Sequence, residues 1–281
     1  MGIPIDREED LSVSDFHSRY SEPERPVVLV GALRGWASLK AWTPDYLKSV
    51  VGKRPVKVAR SPAGGEYFDP DSGVDHAPTL VLPFDEFIDR AFDRAAEEKL
   101  YLLQVPTKEL GPLADEIVVP EYARPPVLFN NVWIGSEGNI TRCHYDMQDN
   151  LLAQVRGRKR LTLFPSRQMW RMYPRSPFIN KSNFSRVDVM RPDYERFPRF
   201  RDVPAYEADL DPGDMLYIPI HWFHHVVSLE PAVSVNYWWR ARLRQSLSPA
   251  SVWYWPRLVA NGTVRHEIAS LVRKVLHSVA A

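Results

Sequence analysis

After Tyr101 the chain breaks into short runs of β-branched and aromatic residues, YLLQV, VLFNNVWIG, LLAQV, RKRLTLF, MLYIPI, HHVVSL and AVSVNYWW, punctuated by glycine and proline. No helical period alternates with these runs. That argues against a parallel sheet wound with crossover helices and for antiparallel sheets closing on one another as a sandwich or jelly roll. The 25 prolines suit such a turn-rich design. LLAQV-RGRKR-LTLF reads as a hairpin turning at Gly157, and Asp211-Pro212-Gly213-Asp214 reads as a tight turn.

Before this region the texture is mixed. Pro26 to Leu33 and Pro55 to Arg60 read as strands flanking a helix that Thr43 caps, with Pro44 in its first turn and Gly52 past its end. Phe84, Phe87, Ile88, Ala91, Phe92 and Ala95 recur at helical spacing and predict an amphipathic helix over 83–97. Residues 1–12 carry no such pattern and are expected to be flexible. Residues 13–245 are expected to form one domain. Within 246–281, Val264, Ile268, Leu271, Val272, Val275 and Val279 lie on one helical face, which predicts a helical segment that packs on its own barrel or dimerises the chain.

One cysteine, Cys143, excludes an internal disulfide and any multi-thiolate metal site, and points to a reducing compartment, the cytoplasm. No run approaches the length needed to span a bilayer, so no membrane partner is expected. A net charge of +1 hides an asymmetry, since residues 156–201 hold 13 basic against 3 acidic side chains. Such a segment can face an acidic partner or simply be a solvated face.

Eight histidines are distributed unevenly: His144 precedes Asp146 by two, and His221, His224 and His225 cluster some distance on. On a strand, residues two apart project from one face, so an imidazole and a carboxylate side by side, joined by an imidazole from a distant strand, would compose the two-His, one-carboxylate triad of non-haem iron(II) oxygenases. Three protein ligands leave positions open for cosubstrate and dioxygen. Cys143, beside His144, has no recognisable base and is not read as a nucleophile.

HYDMQDNLLAQVRGRKRLTLFP and PGDMLYIPIHWFHHVVS resemble the two metal-ligand segments of the JmjC family of Fe(II)- and 2-oxoglutarate-dependent oxygenases, above all its asparaginyl-hydroxylase and tRNA-hydroxylase branches. The likeness is strongest over residues 127–240. It implies a mainly β, double-stranded β-helix, a cupin-like JmjC barrel with flanking N- and C-terminal helices. It places the metal ligands on His144, Asp146 and His224, and the lysine that holds the far carboxylate of 2-oxoglutarate on Lys159. Thr141, Tyr101, Asn150 and Asn236 fall on the positions completing that pocket, and Trp238 on a substrate-side tryptophan. Strand parity supports an inward Lys159 between outward Arg158 and Arg160, and turns His225 away from the barrel if His224 faces in. His221 stands where relatives carry tyrosine or leucine and inherits no role; Asn183 and Phe184 stand where the asparaginyl-hydroxylase branch carries its peptide-gripping arginine and glutamine.

The resemblance thus implies an oxygenase that hydroxylates a C–H bond, on a protein or peptide side chain first, on tRNA second and on an amino-acid-like metabolite third. A metal-free binding scaffold is the non-enzymatic alternative, and a homodimer through the C-terminal helices is the expected assembly.

Overall fold

The β-rich runs assemble into two facing sheets in a computed structural model that describes residues 2–61, 78–178, 181–240, 242 and 248–253. In chain order the strands are β1 (Ile3–Pro4), β2 (Asp6–Glu9), β3 (Val27–Val30), β4 (Pro55–Ser61), β5 (Thr79–Pro83), β6 (Lys99–Pro106) and β7 (Val127–Gly135). There follow β8 (Ile140–His144), β9 (Asp149–Arg156), β10 (Lys159–Phe164), β11 (Tyr206–Leu210), β12 (Met215–Ile218), β13 (Phe223–Ser228) and β14 (Ala232–Trp239). The smaller sheet runs β1-β11-β10-β13-β8, and the larger β2-β3-β12-β9-β14-β7-β6-β4-β5. They close as the expected jelly roll, with Leu152, Leu161, Leu163, Leu216, Ile218 and Val226 packed in one buried cluster between them.

The LLAQV and LTLF strands are not a hairpin. β9 pairs with β12 and β14 in the larger sheet, whereas β10 pairs with β11 and β13 in the smaller. The chain crosses between sheets at Gly157, whose φ of +66° is left-handed and whose missing Cβ would lie 2.2 Å from the Pro231 carbonyl oxygen. Local alternation is identical for a hairpin and a crossover, and only the partners distinguish them.

Residues 3–4 and 6–9 are paired strands, whereas flexibility was expected of 1–12. The Ile3 and Ile5 N–H groups donate to the carbonyls of Ala205 and Glu207 at 2.7 and 3.0 Å, and β2 runs parallel to β3. These are edge strands with mostly exposed side chains, so the backbone ladder forms without an apolar alternation to announce it.

The helices lie against the larger sheet, where one core cluster joins Leu47, Val51, Phe84, Phe87 and Ile88 to Leu151, Val233 and Trp239. Thr43 Oγ1 caps the helix Pro44–Val51 by accepting from the Tyr46 N–H at 3.2 Å. The helix expected over 83–97 spans only Phe84–Phe92, because the Asp93 carboxylate accepts the Ala95 N–H at 2.9 Å and substitutes a side-chain turn for the next helical turn. The segment 165–203 covers the outer face of the smaller sheet, burying Met169, Met172, Phe197 and Phe200 with Cys143 and Phe223. Among the described residues no helix is long and apolar enough to cross a membrane. The apolar stripe over 264–279 lies outside the described residues.

Candidate metal centre

β8 ends on His144, and β13 places His224 directly opposite it, with ring centroids 4.3 Å apart. Each imidazole is oriented from behind: Nδ1 of His144 lies 2.7 Å from the Arg142 carbonyl, and Nδ1 of His224 lies 3.1 Å from that of Trp222. A carbonyl only accepts, so both Nδ1 atoms carry the hydrogen and both Nε2 lone pairs remain available. Those Nε2 atoms lie 3.7 and 3.9 Å from the two carboxylate oxygens of Asp146. The three donor groups fall within 4.8 Å of one another. Burial pushes His144 down to about 4, reinforced by His224 beside it, which keeps the ring in the neutral form that binds metal.

Asp146 is itself held. The indole N–H of Trp238 donates to its Oδ2 at 2.9 Å, and the Asn150 amide reaches the same oxygen at 3.4 Å. Asn236 in turn donates to Asn150 Oδ1 at 2.7 Å. Three residues whose resemblance suggested cosubstrate or substrate contact therefore also form a chain of support for the carboxylate.

Lys159 stands apart from this cluster on the same cavity wall. Its side chain is 2% exposed, flanked by Arg158 and Arg160, which face outward to Glu230 and Asp209 as parity requires. The ammonium donates to Ser234 Oγ at 2.5 Å and lies 5.9 Å from the Tyr101 ring centroid. Ser234 donates to Gln154, whose amide is anchored on the carbonyls of Arg156 and Gly157. Among the described residues Lys159 has no carboxylate partner, and burial pulls it down to about 7. Tyr101, its hydroxyl 3.3 Å from Thr141 Oγ1, is pushed up to about 12 by burial.

One cavity is lined by all nine residues singled out in the sequence: His144, Asp146, His224, Lys159, Thr141, Tyr101, Asn150, Asn236 and Trp238. Gln104, Trp133, Leu152, Ile218 and Val226 complete it and were not anticipated. Trp133 is paired with Ser234 across the sheet, a register invisible in the sequence, and Gln104 sits in a break of the β6–β7 ladder with φ of 52°. A nitrogen–nitrogen–carboxylate donor set suits iron(II), and a buried ammonium without a carboxylate suits an anionic ligand group; the residues present fit both.

The other candidates fall outside the cavity. His225 is buried on the outer face of β13 with neither ring nitrogen hydrogen-bonded among the described residues. Burial raises the Cys143 thiol well above its ordinary range, leaving it inert. Asn183 donates to the Tyr145 carbonyl at 2.7 Å, while Phe184 stacks on the His144 ring at 4.8 Å. Within the basic segment, Arg175 is only 1% exposed and so does not belong to the charged surface.

The sequence model of the cupin-like domain family matches residues 13–245. Lysine-specific demethylase 8 of Xenopus tropicalis is 33% identical over 234 residues, which cover 81% of this chain and 51% of the relative. Lysine-specific demethylase JMJ30 of Arabidopsis thaliana is 32% identical over 251 residues, covering 87% and 56%. The tRNA wybutosine-synthesizing protein 5 of Homo sapiens is 33% identical over 256 residues, covering 85% and 78%. The chain thus spans about half the length of the demethylase relatives and more of the tRNA wybutosine-synthesizing one.

Proposed function

Because this chain belongs to the cupin-like domain family of JmjC proteins, we propose that it is an Fe(II)- and 2-oxoglutarate-dependent oxygenase that hydroxylates a C–H bond, with a protein or peptide side chain as substrate. One observation carries the reading: a single cavity holds a two-His, one-carboxylate cluster together with a buried ammonium that has no carboxylate partner among the described residues. His144, Asp146 and His224 are the residues that would hold iron(II), and Lys159, with Tyr101 and Thr141 beside it, the residues that would take the far carboxylate of 2-oxoglutarate. Iron and 2-oxoglutarate together supply the oxidising chemistry, coupled to decarboxylation of the cosubstrate to succinate.

The chain's own contribution is binding and orientation. The carbonyls of Arg142 and Trp222 fix the imidazole tautomers, Trp238 and Asn150 hold the carboxylate, and Leu152, Ile218 and Val226 keep part of the wall apolar. Trp238 packs on Phe129, which is 44% exposed and extends the aromatic wall outward as a surface for an incoming side chain. The single buried cysteine suits a cytoplasmic protein, and the apolar stripe over 264–279 suits a homodimer.

A nucleic-acid substrate is the second reading, favoured by the surface of residues 165–203. Arg167, Arg171, Arg186, Arg199 and Arg201 are exposed there, interspersed with Trp170 and Tyr194, and Phe184 of the same segment touches His144. The deciding experiment incubates the protein with iron(II), ascorbate and 2-oxoglutarate, follows succinate, and seeks the mass gain of one oxygen atom in fractionated peptide and tRNA pools. Oxygen gain in peptide supports the first reading; gain in tRNA alone, with binding that weakens steeply with salt, replaces it by the second. Succinate formation that is indifferent to iron would overturn both.

A further inference from the structure

Residues 219–222, the turn between β12 and β13, tie the two ligand-bearing segments together. The Ile220 N–H donates to Asp149 Oδ1 at 3.0 Å, the His221 N–H donates to the Asp146 carbonyl at 3.0 Å, and the Trp222 carbonyl accepts from Nδ1 of His224 at 3.1 Å. Three consecutive residues thus fix the main chain of one ligand and the ring of another. The middle one is held in an unfavourable shape: His221 has φ of +63°, the left-handed region that a side chain with a Cβ disfavours.

What holds it there comes from residues 248–253, beyond the last barrel strand. The His221 imidazole is 2% exposed and engaged at both nitrogens, Nδ1 with Ser248 Oγ and Nε2 with Ser251 Oγ, each at 3.0 Å. A neutral imidazole offers one N–H and one lone pair, so one serine accepts while the other donates, and hydroxyls can do either. Ser248 also accepts the Ser251 N–H at 3.3 Å, which shapes the short helical turn that carries both hydroxyls. That turn is docked twice more. Tyr145, between the ligands His144 and Asp146, donates its hydroxyl to the Ala250 carbonyl at 3.2 Å and sets its ring edge-on to His221. Trp253 donates to the Arg175 carbonyl at 2.9 Å.

We propose that His221, gripped by Ser248 and Ser251, is a positioning residue for the metal centre: docking of residues 248–253 locks the 219–222 turn, and the turn sets the main chain of Asp146 and the ring of His224. This rests on the metal-binding reading of the cavity. It gives a role to a histidine that family resemblance leaves without one, and makes the metal site dependent on a segment beyond its own barrel strands.

The test is Co(II) titration of the full chain, read by equilibrium dialysis and by the visible ligand-field bands, with folding monitored by thermal melting. Ser248→Ala/Ser251→Ala should weaken Co(II) binding by about tenfold or more and alter the bands, in the range seen when groups that orient metal ligands are removed. Ser251→Ala alone, which retains the Ser248 cap, should move both readouts in the same direction and serves if the double variant fails to fold. His221→Asn tolerates the left-handed backbone and keeps a polar group for the serines, so it should bind Co(II) more tightly than His221→Ala. Wild-type affinity and unchanged bands in a folded serine variant would overturn the proposal. If the intact chain binds Co(II) no better than His144→Ala does, the metal reading itself fails, and the proposal with it.

Discussion

The Trp238 indole N–H and the Asp146 carboxylate are hydrogen-bonded at 2.9 Å across 92 residues of sequence, so the tryptophan supports a metal ligand as well as lining the cavity. Trp238→Phe keeps the aromatic contact with Phe129 and removes only the donor. Metal affinity should fall about tenfold, measured by Co(II) or Mn(II) titration, with the melting temperature little changed. A raised substrate KM with intact metal affinity would instead assign Trp238 to the substrate alone.

Adjacent histidines should behave oppositely. His224→Ala removes one of three donors and should abolish iron-dependent succinate formation while the fold survives. His225→Ala should leave metal binding in place and cost about 1–3 kcal/mol of stability, since its ring is buried without hydrogen-bond partners among the described residues. Activity and denaturant melts of the two variants separate the outcomes; a dead His225→Ala beside an active His224→Ala would reassign the ligand.

Lys159→Ala should raise the 2-oxoglutarate requirement by at least about tenfold, because a desolvated carboxylate would lose this charge partner. Arg158→Ala should not, since Arg158 pairs with Glu230 at the surface. Succinate formation against 2-oxoglutarate concentration measures both, and an unchanged requirement in Lys159→Ala would remove the anchoring role.

The same lysine sets a pH dependence. Burial lowers Lys159 from 10.5 to about 7 in the folded protein, so between these values the unfolded chain binds more protons and stability should rise with pH. A bound carboxylate restores the ammonium form. Above pH of about 7, 2-oxoglutarate binding should therefore take up a proton, and affinity should fall as pH rises. Calorimetry in buffers of different ionisation enthalpy reads the uptake directly, and Lys159→Ala should abolish it.

Gly157→Ala should destabilise the fold by about 2 kcal/mol or more, as the new methyl would meet the Pro231 carbonyl at 2.2 Å in a left-handed backbone. Thermal melting measures it. Were Gly157 the tip of an exposed hairpin, only the smaller backbone cost would appear.

Alternation along single strands was legible without coordinates: it separated inward Lys159 from Arg158 and Arg160 and turned His225 away from His224, while β-branched and aromatic runs marked most of the central strands. The motif around His144, Asp146 and His224 supplied the donor set, because the family pattern is local in sequence. Pairing was not legible in the same way. The 151–164 region alternates identically whether it folds as a hairpin or crosses from one sheet to the other, and the edge strands at the N-terminus pair with β11 and β3 although most of their side chains are exposed.

Local periodicity, turn chemistry and ligand spacing were therefore determined by the sequence itself, since each depends on residues a few positions apart. Tertiary structure decided what depends on distant neighbours: the indole of Trp238 on Asp146, the Ser234–Gln154 support of Lys159, and the grip of Ser248 and Ser251 on His221. Each joins groups separated by tens of residues, and a hydrogen bond carries no trace in the sequence of the partner that folding brings to it.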